Sequence, residues 1–263
     1  MVKKERRAKS KRCSLRMIQY EVRNMNGNLM SHFFGIVFPN VMCLVLSKTV
    51  GESLSEDIRR EVMTTIMLSM SLIMPMSIMM LGYGAVYSQE VEKGVPLRMR
   101  LFGFEEKSLI AAKIIAHLLL LTVSFVVFAL FQILIMDIQK PAAGSLVCLV
   151  LSLYFIGAVL LVIAYALAGI FKKFSITFGI CMSIYFMMMI LTGMMGMKTN
   201  QLPAVLQRVA KTLPMTYISN DFITFWQGGS YNFMPYIQSC IFFAALAGLL
   251  LMASFYKNRR VVK

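Results

Sequence analysis

The sequence predicts an all-α polytopic membrane protein with six transmembrane helices and both termini in the cytoplasm. Three observations carry that prediction. The 263 residues are 58% hydrophobic and only 15% charged, whereas soluble domains are about 45–50% apolar and about 25% charged. Mean hydropathy is +0.71. Six stretches lack Lys, Arg, Asp and Glu: 24–47, 62–88, 114–136, 141–171, 174 up to Lys198, and 232–256. Each can supply the roughly 20 helical residues that cross a bilayer. The runs do not alternate, which argues against a barrel, and helices satisfy their own backbone in lipid.

The first element is a basic tail, MVKKERRAKSKR. Its charge suits anionic headgroups. The basic region is too long for a cleavable signal, and no small-x-small site clearly follows the first apolar run, so that run reads as a retained span. The net charge of +15 would suit nucleic acid, but the cations sit in short runs between apolar segments, as membrane topology requires. After the tail, Leu15, Ile18, Val22 and Met25 recur at helical spacing, with Arg16 and Arg23 at the edges. This predicts an amphipathic interface helix within residues 1–27, lying on the membrane or packed on a partner.

The second loop, 88–113, is SQEVEKGVPLRMRLFGFEEKSLIAAK, with five basic and four acidic residues. Glu90, Glu92 and Lys93 start a charged helix that Gly94 and Pro96 interrupt. Leu97, Met99, Leu101, Phe102 and Phe104 then offer apolar surface beside Arg98 and Arg100. Apolar anchors rimmed by charge suit a protein interface; a solvated loop is the plain alternative. Orientation follows from the cations. The N-tail, this loop, Lys172–Lys173 and the C-tail hold 20 of the 27 Lys and Arg, while the 12 acidic residues divide evenly between the two sides. Positive charge alone is sorted toward the cytoplasm.

Between the spans, DIQKPAAG at 137–144 is a short outer turn and Lys172–Lys173 a tight inner one. Residues 198–231 form the longest outer loop. Pro203 can open a helix there, Val205, Val209 and Leu213 continue at helical spacing, Pro214 breaks it, and Ile218–Trp226 forms a second apolar piece. A helix–Pro–helix hairpin dipping into the outer leaflet is expected; such backbone needs protein or a cavity around it.

Chemistry is sparse. No span core holds Asp or Glu, unlike ion-coupled transporters, and no internal repeat is visible. His32 and His117 lack a carboxylate partner in sequence and read as interfacial or packing residues; Lys113 can reach the headgroups from the start of the third span. The five cysteines are too irregularly spaced for a metal or redox pair. No phosphate-binding loop occurs, so any ATPase is another chain. Met63, Met67, Met70 and Met74 form a stripe on the second span, and Met187–Met189, Met194, Met195 and Met197 crowd the fifth. Flexible thioethers suit either core packing or a pliable path for apolar cargo.

With these residues in view, the chain resembles the membrane (permease) subunit of a type-2 ABC transporter. Glu90 and Gly94 match that family's E-x-x-x-G loop, and Lys113 falls where its lysine opens the third span. LPAVLQRVAKTLPMTYISND, which contains Pro203, Pro214, Tyr217 and Asp221, resembles its Leu-Pro…Leu-Pro-x-Thr/Ser-Tyr pattern. Pro39 is also family-like. The resemblance implies a single permease domain over 1–263 in a bacterial plasma membrane. It also implies a second permease chain, the same or different, and two cytosolic ABC ATPase subunits. ATP and Mg would bind those subunits, with no cofactor or metal on this chain. Glu90, Glu92, Lys93, Gly94, Arg98, Arg100 and Leu101 would then couple to the ATPase. The hairpin would gate the exit, and spans one, two and five would line the path. Together with the Met-rich spans, this implies export of an apolar or amphipathic cargo such as a peptide antibiotic or drug. A non-transporting immunity or sensor protein, which would have no ATPase partner, is the alternative. A membrane transferase would need an essential acid, His or Cys, and no convincing set is present.

Overall fold

The computed structural model describes residues 13–51, 55–195 and 199–261. The basic tail, Met197 and Lys198 lie outside the described residues. Among the described residues the ordered elements are helical, and six are long and apolar enough to cross a membrane.

Helix α1 (Leu15–Asn26) begins after extended Ser14 and ends at Gly27. Asn24, expected to open the first span, belongs to α1 instead. That span is built from α2 (Leu29–His32), a wide π-type turn at Phe33–Val37, and α3 (Phe38–Gly51). Pro39 sits just beyond the wide turn. A proline ring has no N–H and crowds the carbonyl four residues back, here Gly35, which accounts for the loosened ladder.

The second span comprises α4 (Glu56–Ser71), α5 (Ile73–Pro75), a second π-type segment at Met76–Tyr83, and α6 (Gly84–Glu92). Pro75 breaks the ladder immediately before the wide segment. This span is the axis of the bundle: 83% of its most apolar window is buried, against 22% for the first, third and sixth spans. The two wide segments pack on each other. A Cβ on Gly35 would lie 2.6 Å from Ile78 Cγ1, so only glycine admits this approach. Asn28 Nδ2 donates to the Gly82 carbonyl at 3.2 Å, partnering backbone that the wide turn frees.

Two boundaries differ from expectation. Glu90 and Glu92 do not start a helix; they end the second span, which runs on through Glu92. Gly94, at φ +67°, reverses the chain, and α7 (Val95–Leu101) carries Pro96 in its first turn. The φ > 0 requirement explains glycine at 94. Span three, α8 (Glu106–Ile135), follows. Span four, α9 (Ser145–Phe171), packs on the second span and on α14. Lys172 takes φ 54° in the tight turn. Span five, α10 (Phe174–Leu191), stops short of the expected Lys198: Thr192 bonds back to the Met188 carbonyl and Gly193 turns at φ +83°.

The 199–231 connection holds three short helices, α11 (Ala204–Ala210), α12 (Pro214–Asn220) and α13 (Phe222–Trp226). They pack against α4, α9, α10 and α14 (Phe233–Val261), the last containing the sixth span. Two ends of the bundle are thereby defined. The N-terminal face carries α1 and α7; the opposite face carries 137–144 and α11–α13.

Candidate functional site

The N-terminal face is organised by a buried ion cluster. Lys113, on the first turns of span three, donates from Nζ to Glu21 Oε2 at 2.6 Å and to Glu90 Oε1 at 2.7 Å. Asn24 Nδ2 adds a bond to Glu90 Oε1 at 3.0 Å. The side chains of Lys113, Glu21 and Glu90 are only 5%, 3% and 14% exposed. Three separate elements, α1, α6 and α8, thus meet at one ammonium. Lys113 is therefore not free to reach the headgroups; two carboxylates hold it inside the protein, where charges persist only when paired.

This cluster sets the rotation of α1. The face that packs on span three is Met17, Glu21 and Met25, at i, i+4 and i+8. Met17 joins Leu109 and Ala112 in a small satellite core, with Ile18, Met99 and Phe104 against it. The expected stripe Leu15–Ile18–Val22–Met25 is buried only at Met25, and Leu15 is 78% exposed. The pull of Lys113 on Glu21 sets this rotation, which leaves Leu15 exposed and Ile18 and Val22 half-buried.

Burial pushes the Glu21 carboxyl above the usual carboxylate range, against the lowering pull of Lys113. A cavity of about 20 Å³, room for about one water, adjoins the cluster; Tyr20, Tyr87 and the three charged residues line it, with Val95, Pro96 and Met99 of α7 on one side. Helix α7 therefore presents its inner side to the ion cluster. Its outer side is open: Leu97, Leu101 and Phe102 are 61%, 81% and 71% exposed, and Arg98 and Arg100 are exposed beside them. Arg98 donates to the Lys93 carbonyl at 2.6 Å, bracing the Gly94 turn.

Glu92 performs a different task. Its Oε2 accepts from the Phe174 backbone N–H at 2.8 Å, placing a negative charge at the N-terminus of span five, where the helix dipole favours it. It ties the second span to the turn between spans four and five. His117, one turn deeper than Lys113, places Nδ1 2.8 Å from the Lys113 carbonyl and is buried. His32 contacts the Asn28 carbonyl at 3.0 Å. Among the described residues no cluster of His, Cys, Asp or Glu is arranged to hold a metal.

Met63, Met67, Met70 and Met74 are all buried inside this chain, within one core that also takes in Met188, Met189 and Met194. On the opposite face, Pro203 precedes α11 and Pro214 opens α12. Tyr217 donates its hydroxyl to the Lys211 carbonyl at 3.0 Å, and Asp221 separates α12 from α13. Trp226 Nε1 donates to the Gln139 carbonyl at 2.9 Å, Gln227 Nε2 to Gln139 Oε1 at 3.0 Å, and the Ala142 N–H to the Trp226 carbonyl at 2.8 Å. The short helices are thereby stitched to the 137–144 turn.

Sequence reading missed Glu21 and Asn24. The available signal was a lone acid, Glu21, spaced four residues from Met17 and Met25 in an otherwise basic segment.

The profile of the ABC-2 type transporter family matches residues 14–222. No curated protein and no solved structure is matched by the chain. The profile spans most of the chain, from α1 through the start of α13. The chain belongs to the ABC-2 type transporter family and is a multi-pass membrane permease of an ABC transporter. Permeases of this family work with an ATPase partner.

Proposed function

From that membership, we propose that this chain is the membrane half of an ATP-driven exporter. Its N-terminal face looks into the cytoplasm of a bacterial cell, and both termini lie on that side. Two permease chains, the same or different, would pair above two cytosolic ATPase subunits that bind ATP and Mg. The cargo class is apolar or amphipathic, a peptide antibiotic or drug. No span core holds a carboxylate to recognise an ion or polar solute.

One observation carries the reading: α7 exposes Leu97, Leu101 and Phe102 beside Arg98 and Arg100 while its inner side covers a buried ion cluster. An apolar outer side rimmed by cations suits docking to another protein. The inner side connects that docking to α1 and to spans two and three. ATP binding would close the partner subunits and move α7, Glu90 and α1 together; the differential affinity that shifts the transporter's states then comes from ATP on the partner. The path between permease chains would be lined by spans one, two and five. A path along Met63, Met67, Met70 and Met74 requires the neighbours of the second span to part, because these side chains are packed. The hairpin of α11–α13, dipping into the outer leaflet, would gate the exit.

The test uses L97E/L101E in the full transporter reconstituted with its ATPase. Membrane insertion is expected to persist and permease-stimulated ATP hydrolysis to be lost; undiminished stimulation would refute the docking role. Deleting the gene should raise susceptibility to peptide antibiotics or lipophilic drugs. Unchanged susceptibility to both would refute the cargo class.

A further inference from the structure

We propose that Glu21, Glu90 and Lys113 form a one-proton site: Glu21 takes up a proton beside the Lys113–Glu90 ion pair under the cover of α7, and loss of that proton to water releases α1 from span three.

Two carboxylates and one ammonium within hydrogen-bonding distance leave one uncompensated negative charge. A buried unpaired charge is costly, and the cheapest remedy for a carboxylate is to take up a proton. Tyr83, from the wide segment of the second span, faces both Glu21 and Glu90. Lys113 faces Glu21 from span three, with His117 one turn deeper. Glu90 and Tyr87 face it from the end of the second span, and Tyr20 lies beside it on α1. Arg16 and Arg23 of α1 are exposed, and Glu92 is engaged at the Phe174 N–H. The α7 residues lining the cavity, Val95, Pro96 and Met99, carry no ionisable group. Among the described residues no second cation faces the cluster from these elements, so the balance of charge falls to a proton.

Hydrogen bonding agrees. A protonated carboxyl is a donor, and Asn24 already supplies one bond to Glu90 Oε1. The adjoining cavity has room for about one water, enough to relay a proton. The sign follows. Burial holds the docked Glu21 carboxyl above its usual range, so docked α1 binds the proton more tightly than free α1. Docking is therefore strongest at low pH and is lost as pH rises through the docked value. Cover by α7 makes the site gateable. If α7 is the element an ATPase moves, its displacement admits water and lowers that value, and α1 is released at constant pH. This regulatory consequence rests on the function proposed above; the proton site itself does not.

The experiment uses the full permease alone, in lipid nanodiscs, with spin labels at Arg16→Cys and Lys173→Cys after replacement of the native cysteines. The distance distribution between labels is measured from about pH 5 to about pH 9, between the usual carboxylate and amine values. One distance is expected at the acid end. A second, longer population should then grow by up to about tenfold per pH unit, the slope of a single proton. Glu21→Gln, which supplies a neutral partner of the same shape, is expected to hold the acid-end distance throughout, and Glu90→Gln likewise. A wild-type distribution that does not change with pH overturns the proposal, and so does an unchanged pH response in Glu21→Gln. Because no ATPase is present, failure here leaves the docking role of α7 standing, and failure of L97E/L101E leaves the proton site standing.

Discussion

The two ends of this bundle are held by opposite kinds of chemistry. On the N-terminal face, α1, α6 and α8 meet at one lysine between two carboxylates, all nearly out of solvent. On the opposite face, the short helices are tied to the 137–144 turn and to the spans by neutral bonds. Trp226 bonds to the Gln139 carbonyl, the Gln139 N–H to Thr64 Oγ1, and Ser69 to the Ser219 carbonyl. Neutral side-chain-to-backbone bonds hold across pH and salt. A buried ion cluster depends on the balance of its charges and on whether water reaches it. One face is thus closed mainly by uncharged bonds, and the other is a joint of buried charges.

Removing the centre of the joint should have the largest effect. Lys113→Met leaves two carboxylates buried together and is expected to destabilise α1 docking by about 3–5 kcal/mol. Thermal unfolding and protease cleavage after Arg16 or Arg23 would report it. Adding Glu21→Gln and Glu90→Gln to that variant should recover much of the loss, since breaking a buried ion set costs more than replacing it whole. Equal instability in the triple variant would mean that packing, and not charge, holds α1.

Between the two ends lies the close contact of the wide turns. Gly35→Ala forces Ile78 aside and is expected to cost about 1–3 kcal/mol by overpacking, read as a lower unfolding temperature at every pH. A cost that varies with pH would show that the two faces communicate through this contact. On the neutral face, Trp226→Phe removes one bond and is expected to cost about 0.5–1.5 kcal/mol, without pH dependence. Smallest is Arg60→Gln. Its pair with Asp137 is short at 2.8 Å, but both side chains are more than half exposed. Solvent screening leaves about 0–1 kcal/mol. A large loss there would contradict the contrast between buried and exposed ions.

Much of the architecture was legible because lipid imposes it. Uncharged runs of sufficient length marked the six spans, Lys172–Lys173 the tight turn, and Pro203 and Pro214 the starts of α11 and α12. Local rules also identified the Gly94 break. The rotation of α1 was not legible, because a helix with apolar residues on two flanks can pack either one. The choice was made by a partner 92 residues away in the chain, Lys113. The boundary at Glu90 and Glu92 misled for the same reason. Charged residues signal the end of a span, yet here the helix runs on because Lys113 and the Phe174 N–H satisfy both carboxylates. The wide turns were invisible: Pro39 and Pro75 signal strain, but its relief as π-type turns depends on how closely the first two spans pack.

The central claim is that the exposed side of α7 is where a separate ATP-hydrolysing chain docks. The most direct measurement is purification of the tagged permease from its native host in gentle detergent, alongside Leu101→Glu. The account predicts a soluble nucleotide-binding subunit in about equimolar amount with the wild type, consistent with a closed symmetric assembly, and its loss from the variant. Permease recovered alone in both preparations, or the subunit retained by both, would contradict it.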